Sequence, residues 1–164
     1  MAYLFGRTAP LSDAERPESL VSSNLPLRHD ELTEKGADVK VNRRIIVFDA
    51  GDIEAESSFW AGLLDGTVHR DDDWHSIVVD GEWIMGVQQA PNHVAPVWPT
   101  GSGEQQQVHL DLHVDDIEAA GKRAVELGGR QLQAPRKPAD NPDGDEVFAV
   151  YASPAGHPLC FGMH

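Results

Sequence analysis

Two segments of the chain alternate apolar and polar residues in the same way, and each leads into the same four-residue motif. Residues 44–50 have the period-two pattern of a β-strand and are followed by 52–55 (Asp-Ile-Glu-Ala). Residues 108–114 have the same pattern and are followed by 116–119, again Asp-Ile-Glu-Ala, at an offset of 64 residues. A motif that recurs in the same context indicates two copies of one structural module.

Both motifs predict the start of a helix. Asp52 and Asp116 are suited to cap a helix N-terminus, and the glutamate two positions later suits the positive end of the helix dipole. Each helix then has an apolar stripe at helical spacing. The stripe consists of Ile53, Trp60, Leu63 and Leu64 in the first helix, and of Ile117, Ala120, Ala124 and Leu127 in the second. Gly66 is predicted to close the first helix, and Gly128 with Gly129 the second.

Three further strands are predicted after each helix. In the first copy they are 67–69, 76–79 and 82–85, and Asp80-Gly81 forms the hairpin turn between the last two. In the second copy they are 130–133, 146–151 and 158–163. The order in both copies is therefore strand, helix, strand, strand, strand. The predicted fold class is α+β, with two βαβββ modules.

The modules occupy only part of the chain. The first is predicted at 43–89 and the second at 108–164, and together with the connector 90–107 they form one domain, 43–164. The connector is rich in proline and glycine, which exclude regular structure there. Residues 1–42 lack clear periodicity, so we predict a partly irregular N-terminal extension with a short helix around 31–35.

The charge of the chain narrows its partners. Thirteen lysines and arginines stand against 27 acidic residues, which gives a formal net charge of −14. Nucleic acid and an anionic membrane surface are therefore excluded as partners, because both require a basic face. Cys160 is the one cysteine, so no internal disulfide forms, and the sequence shows neither a signal peptide nor a membrane span. We expect a cytoplasmic protein.

The strand predicted at 108–114 has one apolar and one polar face. Leu110, Leu112 and Val114 lie on the apolar face, and His109, Asp111 and His113 on the other. Two imidazoles and a carboxylate are a candidate metal-binding or proton-transfer set. Because same-face neighbours on a strand are roughly 6.5–7 Å apart, we expect one of them with residues of neighbouring strands, rather than all three, to hold an ion. The alternative is a solvated or hydrogen-bonded polar face.

Several motifs resemble those of a known superfamily. They are 58–60 (Ser-Phe-Trp) with 63–64 (Leu-Leu), 98–99 (Trp-Pro) before 108–112 (Val-His-Leu-Asp-Leu), and 153–160 (Ser-Pro-Ala-Gly-His-Pro-Leu-Cys). With the repeated modules, they resemble the vicinal oxygen chelate superfamily, and in particular its glyoxalase-like domains, over residues 43–163. That superfamily includes glyoxalase I, bleomycin-resistance proteins and extradiol dioxygenases. The resemblance implies two curved sheets forming a half-open barrel around a cavity.

The resemblance also implies where a metal site would lie. In metal-dependent members, the first and last strands of each module each give one ligand. The matching positions here are Ile45, His109, Cys160 and Gly86, with Gln88 the nearest polar residue to the last. Only His109 is a usual ligand, so we predict that the four-ligand site is lost.

Two alternatives remain open at these positions. A different divalent-metal site could be rebuilt around His109 from His75, Asp49, Asp111 or His113. Cys160, which lies between Leu159 and Phe161, could instead be a small buried apolar residue.

Three functions follow as hypotheses. The first is metal-free binding or sequestration of a small, partly aromatic molecule, as in bleomycin-resistance proteins, in a homodimer. The second is a lyase, isomerase or dioxygenase that uses His109 with a rebuilt metal site, or His109 and His113 as acid and base. The third is an accessory domain whose N-terminal extension binds a partner chain.

The candidate pocket residues are shared by the first two hypotheses. They are His109, Asp111, His113, Gln88, Cys160 and Asp49, and His109 is the one predicted metal ligand. Trp74, Trp83 and Trp98 could line an aromatic pocket, or could serve core packing or a dimer contact.

Overall fold

The computed structural model describes residues 41–99, 101, 103–139 and 142–163. Almost all of the predicted N-terminal extension, including its short helix, lies outside these residues. The described residues from Arg44 onward belong to one compact unit. No helix in the described ranges is long and apolar enough to cross a membrane.

The predicted order of elements is confirmed, and with it the α+β fold class. The elements of the first module are β1 (Ile46–Ala50), α1 (Ile53–Leu63), β2 (Thr67–Arg70), β3 (Trp74–Val79) and β4 (Glu82–Gln89). Those of the second are β5 (Leu110–His113), α2 (Ile117–Glu126), β6 (Arg130–Arg136), β7 (Val147–Ala152) and β8 (Pro158–Met163). β5 begins later than predicted, so His109 lies just before the strand, whereas β6 is longer than predicted.

Each module forms its own four-stranded sheet. The strand orders are β1-β4-β3-β2 and β5-β8-β7-β6, so the first strand of each module is an edge that pairs in parallel with the last. The remaining pairs are antiparallel. In the described part of the chain the two sheets are not closed into a barrel.

Both helices begin and end as the sequence predicts. The Asp52 carboxylate accepts a hydrogen bond from the Ala55 N–H, and the Asp116 carboxylate accepts one from Ala119, both at 2.9 Å. At the end of α1, Asp65 is left-handed (φ 54°) and the Gly66 N–H donates to the Ala61 carbonyl. At the end of α2, Gly128 is left-handed and the Gly129 N–H donates to Ala124. Both endings are Schellman motifs.

The core lies between the helices and one face of each sheet. In the first module Phe48 stacks on Trp60, with ring centroids 5.2 Å apart and planes 9° apart. In the second module Leu159 and Phe161 are buried in the same apolar cluster as Ile117. We call the opposite side of each sheet its open face. By strand alternation, these faces carry Val47, Asp49, Trp74, Ser76, Gly86 and Gln88 in the first sheet, and His109, Asp111, His113, Val150, Cys160 and Gly162 in the second.

The two modules are joined by a buried carboxylate. Glu56 of α1 is fully buried, and it accepts hydrogen bonds from the Trp60 indole at 2.7 Å and from the Ala155 N–H at 2.8 Å. Ala155 belongs to the turn before β8, so this contact ties the first helix to the second module. His157 lies at the same junction, with Nε2 at 2.8 Å from the Asp49 carbonyl.

Candidate functional site

Three polar side chains converge on the open face of the second sheet. A nitrogen of His109, a carboxylate oxygen of Asp111 and the sulfur of Cys160 all lie within 4.8 Å of one another. Strand pairing brings them together, because β5 and β8 run in parallel with Asp111 opposite Cys160. The expectation from strand spacing was that one residue of 108–114 would join residues of other strands. In the structure two residues of this segment, His109 and Asp111, lie close to one residue of β8, Cys160.

The His109 ring is held from both sides. Its Nε2 is 3.7 Å from the Asp111 carboxylate, and its Nδ1 is 2.9 Å from the Gln106 amide nitrogen. With that amide as the donor, the proton of a neutral ring sits on Nε2, on the side of Asp111. His109 is largely covered, at 21% side-chain exposure, whereas Asp111 is 47% exposed. The cluster is therefore open to a ligand from the Asp111 side.

Gln106 was not predicted from the sequence. It lies in a run of three glutamines just before the strand, and nothing in that run distinguishes it from its neighbours. Its side-chain oxygen is buried without a hydrogen-bond partner among the described residues. Rotating the amide would present this oxygen to Nδ1 of His109, which would then carry the proton. That is the tautomer a histidine needs in order to bind a metal through Nε2.

Cys160 is half-buried and carries a proton at neutral pH. Its pKa is raised to about 12, first by burial, and then by the negative charge of Asp111 and the hydrogen bond with it. A thiol of this kind is a weak nucleophile, since the thiolate is the reactive form. It is also not a purely apolar core residue, because its partner is a carboxylate.

The other predicted pocket residues lie at varying distances from this cluster. His113 ends β5 with its ring against Gly162, where an added Cβ would meet the ring at 3.4 Å. A groove of about 370 Å³ follows this edge, and Asp111 and His113 line it together with helix-side residues such as Leu64, Leu112 and Phe161. Asp49 and Gln88 are paired neighbours in the first sheet instead.

His75 does not lie near the cluster and is therefore not a candidate metal ligand there. It lies on the helix side of β3, almost fully buried, with Nδ1 at 2.7 Å from the Ser57 hydroxyl and 3.9 Å from the Glu54 carboxylate. This buried pair was not predicted from the sequence, because Ser57 is one of two adjacent serines on the helix and nothing distinguishes it from the other.

The first module offers no ligand at the two positions that the resemblance implies. Ile45 has an apolar side chain. Gly86 is covered by the indole of Trp74, which an added Cβ at Gly86 would overlap. A larger residue could not be placed there without displacing Trp74. The polar cluster is therefore a property of the second module.

Comparison with known families agrees with the architecture. The profile of the glyoxalase-like domain matches residues 45–162, which is most of the chain. No curated protein sequence is significantly similar to the chain.

Three solved structures illustrate the similarity. The fosfomycin resistance protein FosX from Mesorhizobium loti is 13% identical, with a TM-score of 0.54 over 77% of this chain and 94% of that one. A glyoxalase-related enzyme from Fulvimarina pelagi is 18% identical, with a TM-score of 0.54 over 76% and 89%. A glyoxalase/bleomycin resistance protein/dioxygenase family enzyme from Burkholderia phytofirmans is 15% identical, with a TM-score of 0.53 over 71% and 94%. At these identities the similarity shows the fold and not a shared activity.

Proposed function

We propose that this chain, which belongs to the glyoxalase-like domain family of the vicinal oxygen chelate superfamily, binds a small molecule at the polar cluster of its second module, without the four-ligand metal site. One observation carries the proposal. His109, Asp111 and Cys160 converge on one open face, whereas Ile45 and Gly86 provide no ligand in the first module.

The cluster is suited to a ligand that both donates and accepts hydrogen bonds. The exposed Asp111 carboxylate accepts from a hydroxyl or amine, and His109 is fixed beside it by Gln106. A groove of about 370 Å³ runs along the β5 edge from Asp111 and His113 toward the helix side, and His109 and Cys160 do not line it. A volume of this size is at the lower end of the range for small-molecule sites.

A second candidate is an enzyme that holds one divalent cation at the same residues. The observation that favours it is the combination of three converging ligand atoms with the buried, unpartnered oxygen of Gln106. Imidazole, carboxylate and thiolate together suit a borderline ion such as Zn²⁺. A bound ion would supply Lewis-acid polarisation of a substrate oxygen. Because Cys160 must lose its proton to become a ligand, affinity for the ion should rise with pH.

Metal analysis of protein purified without added ions separates the two candidates. The variants are His109→Ala and, as a matched control, His113→Ala, which removes an exposed imidazole from the same strand. Near-stoichiometric metal in the wild type and in His113→Ala, and its loss together with activity in His109→Ala, would favour the metal-dependent enzyme.

Metal-free protein that a small ligand stabilises against heat would establish the binder. The ligand panel includes fosfomycin, because one similar structure is named for it. The stabilisation should disappear in Asp111→Asn and persist in Asp49→Asn. Protein that holds no metal, and whose ligand binding is indifferent to both His109 and Asp111, would contradict both candidates.

The proposal includes the homodimer and the cytoplasmic location that were expected from the sequence. Light scattering on the purified full chain tests the dimer. A monomer at micromolar concentration would remove the dimer from the proposal and leave the cluster unaffected.

A further inference from the structure

Two tryptophans meet at a right angle on the open face of the first sheet. Trp74 of β3 and Trp83 of β4 have ring centroids 6.2 Å apart and planes 88° apart. We call Trp74 and Trp83 the tryptophan corner. It lies on a different sheet from the His109 cluster, at the place where the first module lacks a metal ligand.

A β-bulge creates the corner. Ile77 pairs with Met85 and Val78 pairs with Trp83, so Ile84 is an extra residue in β4. Strict alternation would place Trp83 on the helix side together with Met85. The extra residue shifts Trp83 to the face of Val78, which is also the face of Trp74.

The Trp74 ring is fixed by its surroundings. Its benzo ring lies over Gly86, where the missing side chain leaves room for it. Its indole N–H donates to the Ser76 hydroxyl at 3.0 Å. The Trp83 N–H donates to the Met85 carbonyl at 2.8 Å. Since both indole N–H groups are bonded within the protein, what the corner offers a ligand is aromatic surface rather than polar hydrogens.

Core packing does not account for the corner. Trp60, which does serve the core, is fully buried, whereas Trp74 and Trp83 keep part of their surface accessible. Beside them, Val47 is 41% exposed and Ile84 37% exposed. A patch of partly exposed aromatic and aliphatic side chains on one sheet face is typical of a ligand surface.

The negative charge of the residues near the tryptophan corner favours a positively charged ligand. Asp49 is exposed and lies in the same row as Trp74, with Gln88 between them. Three exposed aspartates, 71–73, directly precede Trp74. Arg70 is bound to the Glu54 carboxylate at 2.6 Å on the helix side. The first module, 43–89, has ten acidic residues and three arginines in its sequence, so its net negative charge favours a cation.

We propose that the tryptophan corner binds a planar aromatic group that carries a positive charge. The ring stacks on Trp74, with Trp83 as the side wall. The positive charge of the ligand lies toward Asp49 and is further stabilised by the π face of Trp74. A neutral or anionic ring of the same shape would gain the stacking without the electrostatic attraction.

Two tricyclic probes test this on the full chain by equilibrium dialysis. 9-Aminoacridine is planar and cationic at neutral pH, and 9-anthracenecarboxylate is planar and anionic. We expect the cation to bind at least about tenfold more tightly than the anion, and the difference to shrink as salt is added. Trp74→Leu should weaken binding of the cation about tenfold, and Trp74→Phe, which keeps a ring, by less. Asp49→Asn should reduce the preference for the cation.

Three control variants locate the binding. Trp98→Leu removes a tryptophan of the connector, and Asp115→Asn removes an exposed charge from the second module. His109→Ala alters the proposed small-molecule site. All three should bind 9-aminoacridine like the wild type. Circular dichroism shows that each variant is folded.

The proposal is overturned by any of three results. The first is that the wild type binds the anion as tightly as the cation. The second is that folded Trp74→Leu, or Trp74→Phe if the leucine variant unfolds, binds as tightly as the wild type with no loss beyond error. The third is that His109→Ala abolishes binding, which would assign the probe to the second module instead.

Discussion

The two modules have the same chain path but bury different polar groups. In the first module, Glu56, Ser57 and His75 are buried beneath the helix, and the open face has tryptophans. In the second module, the helix side has the Tyr151 hydroxyl against α2, and His109 and Cys160 lie on the open face. The repeated backbone therefore does not transfer a site from one module to the other.

The two helices also differ in the volume of their side chains at matching positions. At the offset of 64 residues, Trp60 of α1 corresponds to Ala124 of α2, and Ser57 to Gly121. The volume missing from α2 is supplied from its sheet, because the Tyr151 hydroxyl lies where a Cβ of Gly121 would be. Caps and strand pairing preserve the path of the chain, while side-chain volume can move between helix and sheet.

Removing the buried carboxylate should have the largest effect. Glu56→Ala leaves two donors without a partner, the buried Trp60 indole N–H and the partly buried Ala155 N–H. We expect the free energy of unfolding to fall by about 2–5 kcal/mol in urea denaturation. The control Glu118→Ala, in the first turn of α2, should cost less than about 1 kcal/mol. Equal losses in the two variants would show that Glu56 does not join the modules.

Adding one methyl group to each helix tests the difference in bulk. Gly121→Ala forces a Cβ against the Tyr151 hydroxyl, which is held in the sheet, and should destabilise by about 1–3 kcal/mol. In Gly62→Ala the Cβ meets the flexible end of Leu127 at 2.6 Å, so a smaller loss is expected. Tyr151→Phe should rescue part of the Gly121→Ala effect in a double-mutant cycle. A stabilised Gly121→Ala protein, as helix propensity alone would give, contradicts this packing.

The contact between Cys160 and Asp111 on the open face of the second module can be tested through the reactivity of the Cys160 thiol. The folded-state pKa of Cys160, about 12, lies above the usual thiol value of 9.0. The protonated Cys160 thiol therefore contributes to the stability of the folded state below pH 9, and this contribution is lost as the pH rises toward 12.

Asp111→Asn should lower this pKa, because the negative charge is removed, and should speed alkylation by iodoacetamide at pH 9 several-fold. Asp49→Asn, on the other sheet, should leave the alkylation rate unchanged. Faster alkylation in Asp49→Asn than in Asp111→Asn would refute the contact.

The smallest effect is expected at the exposed ion pair of the first module. The hydrogen bond from Arg70 holds the pKa of Glu54 at about 2, below the usual value of 4.5 for a glutamate side chain. The stabilisation that the ionised Glu54 gives to the folded state is present above pH 4.5 and is lost as the pH falls through 2. Arg70→Gln should return the Glu54 pKa toward 4.5 in an NMR titration, with little change in stability at neutral pH. A Glu54 pKa that stays at about 2 would rule out Arg70 as the cause.

The sequence by itself determined the elements of this protein and their order. The Asp52 and Asp116 caps, the Asp80-Gly81 turn and the alternation around His109 are local signals, and each depends on residues a few positions apart. Such signals also placed His109 and Asp111 on one face. They could not say which residue of another strand would join them.

Tertiary structure decided the contacts between residues far apart in the chain. Cys160 reaches Asp111 only because β5 and β8 pair in one register, and a shift of one residue would turn its side chain to the other face. The bulge at Ile84 reversed the face of Trp83. Glu56 is buried because the turn at Ala155 closes over it. Each of these depends on how two separate segments pack, which no local pattern encodes.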